Sequence, residues 1–138
     1  MPEFTLLGFA SFLSRVALEI PLREHEALEK ASMVIETEAK RVIGTYDYGW
    51  PRLAPSTLEH KAADTPLLET GALRASIEHN VGDRDARIGT NSMIGVYQEM
   101  GTSRGIPPRP FMAGAAIHKE KEVVEILGEG ALIGLLRP

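Results

Sequence analysis

The chain contains no cysteine. Disulfide scaffolds, thiolate zinc sites and cysteine nucleophiles are therefore excluded. Long apolar runs are missing too. Residues 4–14 form as long an uncharged stretch as any, well short of the roughly 20 residues a membrane-spanning helix needs. No basic segment precedes that stretch, so it is not expected to be a secretory signal. A basic excess is also absent: Lys and Arg total 15 against 19 Asp and Glu, for a formal charge of −4. The cations are interleaved with acids, Arg15, Arg23, Lys30, Lys40 and Arg41 lying near Glu19, Glu24, Glu26, Glu36 and Glu38. Tight nucleic-acid binding draws on a concentrated basic face that neutralises phosphates, so it is not expected here.

Signatures of chemistry are sparse. His25, His60, His79 and His118 are scattered without HxxxH or HExxH spacing, whereas a metal site needs several converging ligands. Gly89-Thr90-Asn91 and the segment from Gly101 to Gly105 match neither GxGxxG nor the P-loop. No GxSxG elbow occurs, although triad members need not be adjacent in sequence. Glu69 and Glu99 flank glycine-containing turns and are expected to pair with Arg74 or Arg109. Such pairs hold loops or form subunit contacts more often than they mark active sites. The chain is therefore read as a non-enzyme with no catalytic residue, metal or cofactor.

What is present is one domain's worth of sequence: 138 residues, 43% apolar. Leu6, Phe9, Leu13, Val16 and Ile20 recur at helical spacing, predicting a helix over residues 5–20 that Pro21 ends. A second helix is predicted over 22–43. Leu28, Ala31, Ile35, Ala39 and Val42 form its apolar stripe, Glu24, Glu29, Glu36, Lys40 and Arg41 its wet face, and Gly44 a left-handed cap. Residues 45–55 read as a loop. Ser56-Thr57-Leu58-Glu59 matches a capping box opening a short helix to about Ala63. Ile77, His79 and Val81 alternate on one strand, and Ala86, Ile88 and Thr90 on another. With the turn over 82–85 they predict a hairpin that must pack on something larger. A short helix over 92–100, a mobile loop over 101–109 and a last helix from Phe111 to about Leu127 follow. The apolar tail over 131–136 is expected to fold back or to sit in a subunit interface. The fold class is α+β, with long N-terminal helices and a C-terminal helix packed on a small antiparallel sheet. Its regions are 1–44 (helical), 45–66 (loop and short helix), 67–91 (hairpin) and 92–138 (short helix, loop and C-terminal helix), within a single domain over 1–138.

One ordered pattern goes beyond composition. It runs Trp50-Pro51-x-Leu53-x-x-Ser56-Thr57, then Pro66-Leu67-Leu68-x-Thr70-Gly71-x-Leu73-Arg74-x-Ser76-Ile77. Ile88-Gly89-Thr90-Asn91, Tyr97-Gln98-Glu99-x-Gly101-Thr102 and Ile106-Pro107-Pro108-Arg109-Pro110-Phe111 complete it. Over about residues 50–116 this resembles the tail-completion, neck and tail-terminator proteins of tailed bacteriophages and prophages, and the related virion-morphogenesis family. Many such proteins carry histidine where Gln98 stands.

The resemblance implies a structural protein that joins or completes the tail at the head–tail interface and acts by oligomeric assembly, commonly in rings. Its partners would be copies of itself, tail-tube proteins and head–tail connector proteins. Its place would be the virion, with the host cytoplasm during assembly. The residues carried over as motif and subunit-interface positions are Trp50, Thr70, Gly71, Leu73, Arg74, Ser76, Tyr97, Glu99, Gly101, Arg109, Pro110 and Phe111. Thr70 is expected to cap a turn, Leu73, Ile77 and Phe111 to anchor the core, and Arg109 to bond Glu99 or the carbonyls of a neighbouring subunit. In a ring threaded by DNA, acidic or neutral side chains would face the hole. Residues 45–55, 101–109 and the tail are the expected contact elements. The alternatives are another morphogenesis factor or head–tail connector, a nucleic-acid-binding or toxin-type small domain, and a small hydrolase resting on a Glu99–Arg109 pair.

Overall fold

The computed structural model describes residues 6–61, 63–68 and 70–136, with side chains described over 22–61, 63–68 and 70–129. Helix α1 spans Leu6–Val42, about 55 Å at the standard helical rise. The expected break at Pro21 does not occur: the backbone stays helical through it. Proline's fixed φ is compatible with a helix, and its cost is a lost hydrogen bond and a local clash. Here that cost is outweighed by packing, since α1 is the spine on which α6, β1, β2, α3 and α5 all rest.

The stripe on α1 is largely as its spacing indicates: Ala31, Ala39 and Val42 are buried, together with Ala27 and Ile43. Its wet face is not wholly wet, because Glu36 is buried; Glu38, outside that face, is buried too. Gly44 takes the expected left-handed conformation after the helix, with φ 90°, and its amide donates to Pro66 O at 2.8 Å.

Helix α2 spans Pro55–His60 and buries no residue. Ala54 is its N-cap and no side chain caps it, so the expected Ser56 capping box is not formed. Pro55 takes the first helical turn, where its missing N–H costs nothing, and that places Ser56 already inside the helix. The short α3, Ala72–Ala75, leads into β1, Ile77–Val81, which pairs antiparallel with β2, Ala86–Thr90. The register sets Ile77 opposite Thr90, His79 opposite Ile88 and Val81 opposite Ala86. Gly82 N donates to Asp85 O at 2.8 Å to close the turn. The hairpin is the whole sheet among the described residues, and it lies on α1, as a two-stranded ribbon must lie on something.

Helix α4 spans Met93–Met100, α5 Phe111–His118 and α6 Glu120–Leu136. The single last helix expected from the sequence is thus two, broken at Lys119 (φ −105°, ψ 7°). The bond Lys119 N→Ala115 O (3.0 Å) closes α5, and Val123 N→Lys119 O (2.9 Å) opens α6. Helix α6 does not stop near Leu127. It continues through Gly128 and Gly130 to Leu136 while packing on α1. The tail over 131–136 is part of this helix, and its side chains lie outside those described. The core gathers Ala39, Val42, Ile43, Trp50, Leu73, Ile77, Phe111 and Ala115. The architecture is α+β.

Candidate docking surface

The motif residues sort into braces and surface. Arg74 reaches back from α3 to the end of α1, donating Nε to Lys40 O (3.0 Å) and an NH2 nitrogen to Ile43 O (2.7 Å). These are carbonyls that a helix C-terminus leaves without intrahelical partners. Glu99, on α4, does the converse for α5. Its two oxygens accept Met112 N and Ala113 N, each at 2.9 Å, placing a carboxylate at the electropositive end of that helix. Arg109 is buried and does not meet Glu99. Its guanidinium donates to Pro51 O (2.9 and 3.2 Å) and Arg52 O (3.3 Å), and its amide to Gln98 O at 2.7 Å. The expected Glu99–Arg109 pair is therefore corrected. Each charge was taken by orphan backbone groups, which bind an ion without needing an opposite charge.

Trp50, Leu73 and Phe111 are in the core. The hydroxyl of Thr70 accepts Ala72 N at 3.3 Å, while Gly71, with φ 83°, is the N-cap of α3. Ser76 Oγ lies 2.6 Å from Leu73 O and from Thr90 Oγ1, joining α3 to β2. Pro110 is the exposed N-cap of α5. Gly101 turns the chain at φ 73°, and a Cβ there would stand 2.9 Å from Ile106 O and 3.0 Å from Pro108. The loop over 101–109, expected to be mobile, is laced by Thr102 N→Ile106 O (3.0 Å), Gly105 N→Thr102 O (3.3 Å) and the Arg109 bonds. Glu69 lies outside the described residues.

What these braces present is α4. Gly95 is its buried residue; a Cβ there would fall 2.6 Å from Thr90 Cγ2 and 3.1 Å from Leu73 Cδ1. Only a glycine lets the helix sit this close to the hairpin and α3. Outward stand Met93, Ile94 and Met100, at 62%, 63% and 75% exposure, with Val96 and Tyr97 also exposed. Scattered exposed apolar residues are ordinary, whereas five on one short helix make a candidate contact surface.

Beside α4 opens a groove of about 720 Å³ between α4, the 105–109 segment and the chain around α2 and α3. Leu53, Ile94 and Ile106 give it apolar walls; Lys61 and Arg52 also line it, the Arg52 guanidinium lying 3.6 Å from the Asp64 carboxylate and over the Tyr46 ring. Gln98 Oε1, also in the lining, is buried without a hydrogen-bond partner.

Two polar clusters were not read from the sequence. His79 sits between Glu29 Oε1 (Nε2, 2.6 Å) and Glu36 Oε2 (Nδ1, 2.8 Å). The Glu29 bond, outweighing partial burial and joined by Glu36, raises the imidazole pKa above its ordinary value. Burial pushes the Glu36 carboxyl up, but the hydrogen bonds and charges of His79 and Lys40 leave it lowered. The alternation of Ile77, His79 and Val81 put His79 on the inward face, and that was the available signal.

The second cluster centres on Glu38. Its carboxylate accepts Arg41 Nε and an NH2 nitrogen (2.9 and 2.6 Å) and the Tyr48 hydroxyl (2.8 Å). The Arg41 bonds, with help from Tyr48 and against burial, hold it at about 2. The Tyr48 ring stacks on His118 at 4.1 Å and meets Trp50 edge-on at 5.8 Å. Both clusters clamp elements together, and neither opens onto the groove. Among the described residues no group of His, Asp and Glu is arranged to hold a metal ion, and no helix is long and apolar enough to cross a membrane.

No family model, characterised protein or solved structure matches this chain.

Proposed function

We propose that the protein is a non-catalytic assembly subunit of a tailed bacteriophage or prophage, acting at the head–tail interface as a tail-completion or neck component. The observation that carries this reading is the outward apolar face of α4, Met93, Ile94, Val96, Tyr97 and Met100, held on a scaffold braced by Arg74, Glu99 and Arg109. Burying a large apolar side chain fully is worth about 1.5–3 kcal/mol. Covering this half-exposed set supplies several kcal/mol, enough to drive association once ordering costs are met. The chemistry of the motif supports the same reading. Its charged residues Arg74, Glu99 and Arg109 are spent on backbone groups within the fold. Copies of the chain, tail-tube proteins and head–tail connectors are the partners this reading names, met in the host cytoplasm and retained in the virion.

The test is made in cells that produce the particles. Deleting the coding region is expected to leave separate heads and tails. The same defect is expected from Val96→Ser with Met100→Ser, both exposed changes that leave the melting temperature of the purified protein unchanged. Intact infectious particles from the deletion strain would overturn the reading.

A further inference from the structure

We infer that His79 is a pH-dependent latch: as an imidazolium it ties the turn end of the hairpin to α1, and as a neutral ring it releases that end. The geometry carries this. Nε2 lies 2.6 Å from Glu29 Oε1, and Nδ1 lies 2.8 Å from Glu36 Oε2. An ionised carboxylate only accepts hydrogen bonds, so both ring nitrogens must donate, and only the imidazolium carries two N–H groups. A neutral ring keeps one donor. Its other nitrogen then turns a lone pair towards a carboxylate oxygen, and one tie is lost.

Neighbouring charges do not replace the lost proton. Helix α1, β2 and α3 pack on β1. From α1, Lys40 Nζ stands 3.2 Å from Glu36 Oε1 and holds that carboxylate whatever the state of the ring. Glu29 is 49% exposed and pairs with His79, so it is the carboxylate that turns to water. From β2, the residue opposite His79 is Ile88, and Arg87 is exposed beside Asp85. Arg74 of α3 is spent on Lys40 O and Ile43 O. Glu78 is exposed on the opposite face of β1. The Glu29 bond, joined by Glu36, raises the imidazole pKa against partial burial. The latch is therefore closed at low pH and opens as pH rises through the folded-state value.

Release is local, because the two ends of the hairpin are held differently. Ile77 is buried in the core and Ile88 packs against it, while Ser76 Oγ lies 2.6 Å from Thr90 Oγ1. At the turn end, Val81 and Ala86 pair with each other, are only partly buried and lie outside the core cluster. Among the described residues, the His79 bonds are the only hydrogen bonds between the hairpin and α1. Ser32 shares the stripe of α1 that carries Glu29 and Glu36, but its buried hydroxyl has no partner and adds no tie. An unsupported two-stranded ribbon is marginal, so the untied end frays. Gly95 of α4 sits against Thr90 and Leu73, at the anchored end, so the latch is independent of the assembly reading.

NMR of the full-length protein, with labelled methyl groups and histidine rings, tests this from pH 6 upwards. The His79 ring is expected to titrate above about 6.5, the ordinary histidine value. The Val81 and Ala86 methyl resonances are expected to move towards random-coil positions with the same midpoint, while the Ile77 methyls keep their native shifts. In His79→Gln, which is neutral at every pH, Val81 and Ala86 are expected to sit at the released positions throughout. Should that variant not fold, the titration of the parent decides alone. The inference is overturned if the ring titrates at or below the ordinary value, or if Val81 and Ala86 stay fixed while it titrates. Movement of Ile77 together with them also overturns it, because that is unfolding of the whole hairpin seat, and so does a His79→Gln protein whose Val81 and Ala86 follow pH as the parent's do.

Discussion

Replacing Glu99 by glutamine tests whether the most polar motif residue serves the fold or the interface. The carboxylate gives one oxygen to Met112 N and the other to Ala113 N, both at 2.9 Å. Glutamine keeps one acceptor and turns an amide N–H towards the other backbone donor. One charge-assisted hydrogen bond, worth about 1.5–3 kcal/mol when buried, is lost, and so is a favourable charge at a helix N-terminus, worth about 0.3–1 kcal/mol. Because Ala113 is exposed, water recovers part of this, and a net loss of about 1.5–3 kcal/mol is expected. For a chain of this size that lowers the melting temperature by roughly 5–12 °C. Urea unfolding followed by fluorescence is a suitable assay. The single tryptophan, Trp50, is buried 5.8 Å from the Tyr48 ring and reports the core directly. An unchanged unfolding midpoint, together with lost self-association, would refute the capping argument and make Glu99 an interface residue.

Three further outcomes follow from the geometry. Gly95→Ala drives a methyl group against Thr90, whose hydroxyl is tied to Ser76; a loss of about 1–3 kcal/mol is expected in the same urea assay, and wild-type stability would show that α4 can shift freely. His79 has a raised folded-state pKa, so its clamp on Glu29 and Glu36 stabilises fully below the unfolded value of about 6.5 and is lost as pH rises through the folded value. Unfolding free energy measured from pH 6 upwards is expected to fall in the parent and to stay flatter in His79→Gln, and parallel curves would contradict the clamp. Glu38 has its pKa lowered to about 2, so its contribution is full above the unfolded carboxylate range and is lost as pH falls towards 2. Arg41 is half exposed, which discounts the contribution to about 1–2 kcal/mol, and Glu38→Gln is expected to lose that much near neutral pH and converge with the parent in acid.

Local signals in the sequence were reliable where local physics decides the outcome. The alternation around Ile77 and Ile88 delivered the hairpin, and the turn that follows α1 takes left-handed backbone at Gly44. The run from Met93 to Met100 formed the short helix that its apolar content suggested. Failures came where distant contacts decide. Pro21 reads as a stop, yet α1 passes through it as the helix on which α6, α5 and the hairpin pack. Lys119 carries no breaking residue, yet the helix divides there, and α6 tolerates Gly128 and Gly130. Glu36 looked like part of a wet face because its partner, His79, is 43 positions away. Arg109 and Glu99 invited pairing as opposite charges close in sequence. Neither periodicity nor spacing reports which backbone carbonyls and amides a fold leaves orphaned, and those took both. The motif's order was legible, but its division into braces and an exposed α4 face was not.

The central claim is that the outward face of α4 becomes covered when the protein assembles. Oxidative footprinting of Met93 and Met100, compared between the isolated chain and assembled particles, measures that cover at the side chains themselves. Rapid sulfoxidation in the free protein and strong protection of both residues in the particle is the result the account requires. Equal oxidation of both methionines in the two states would contradict it.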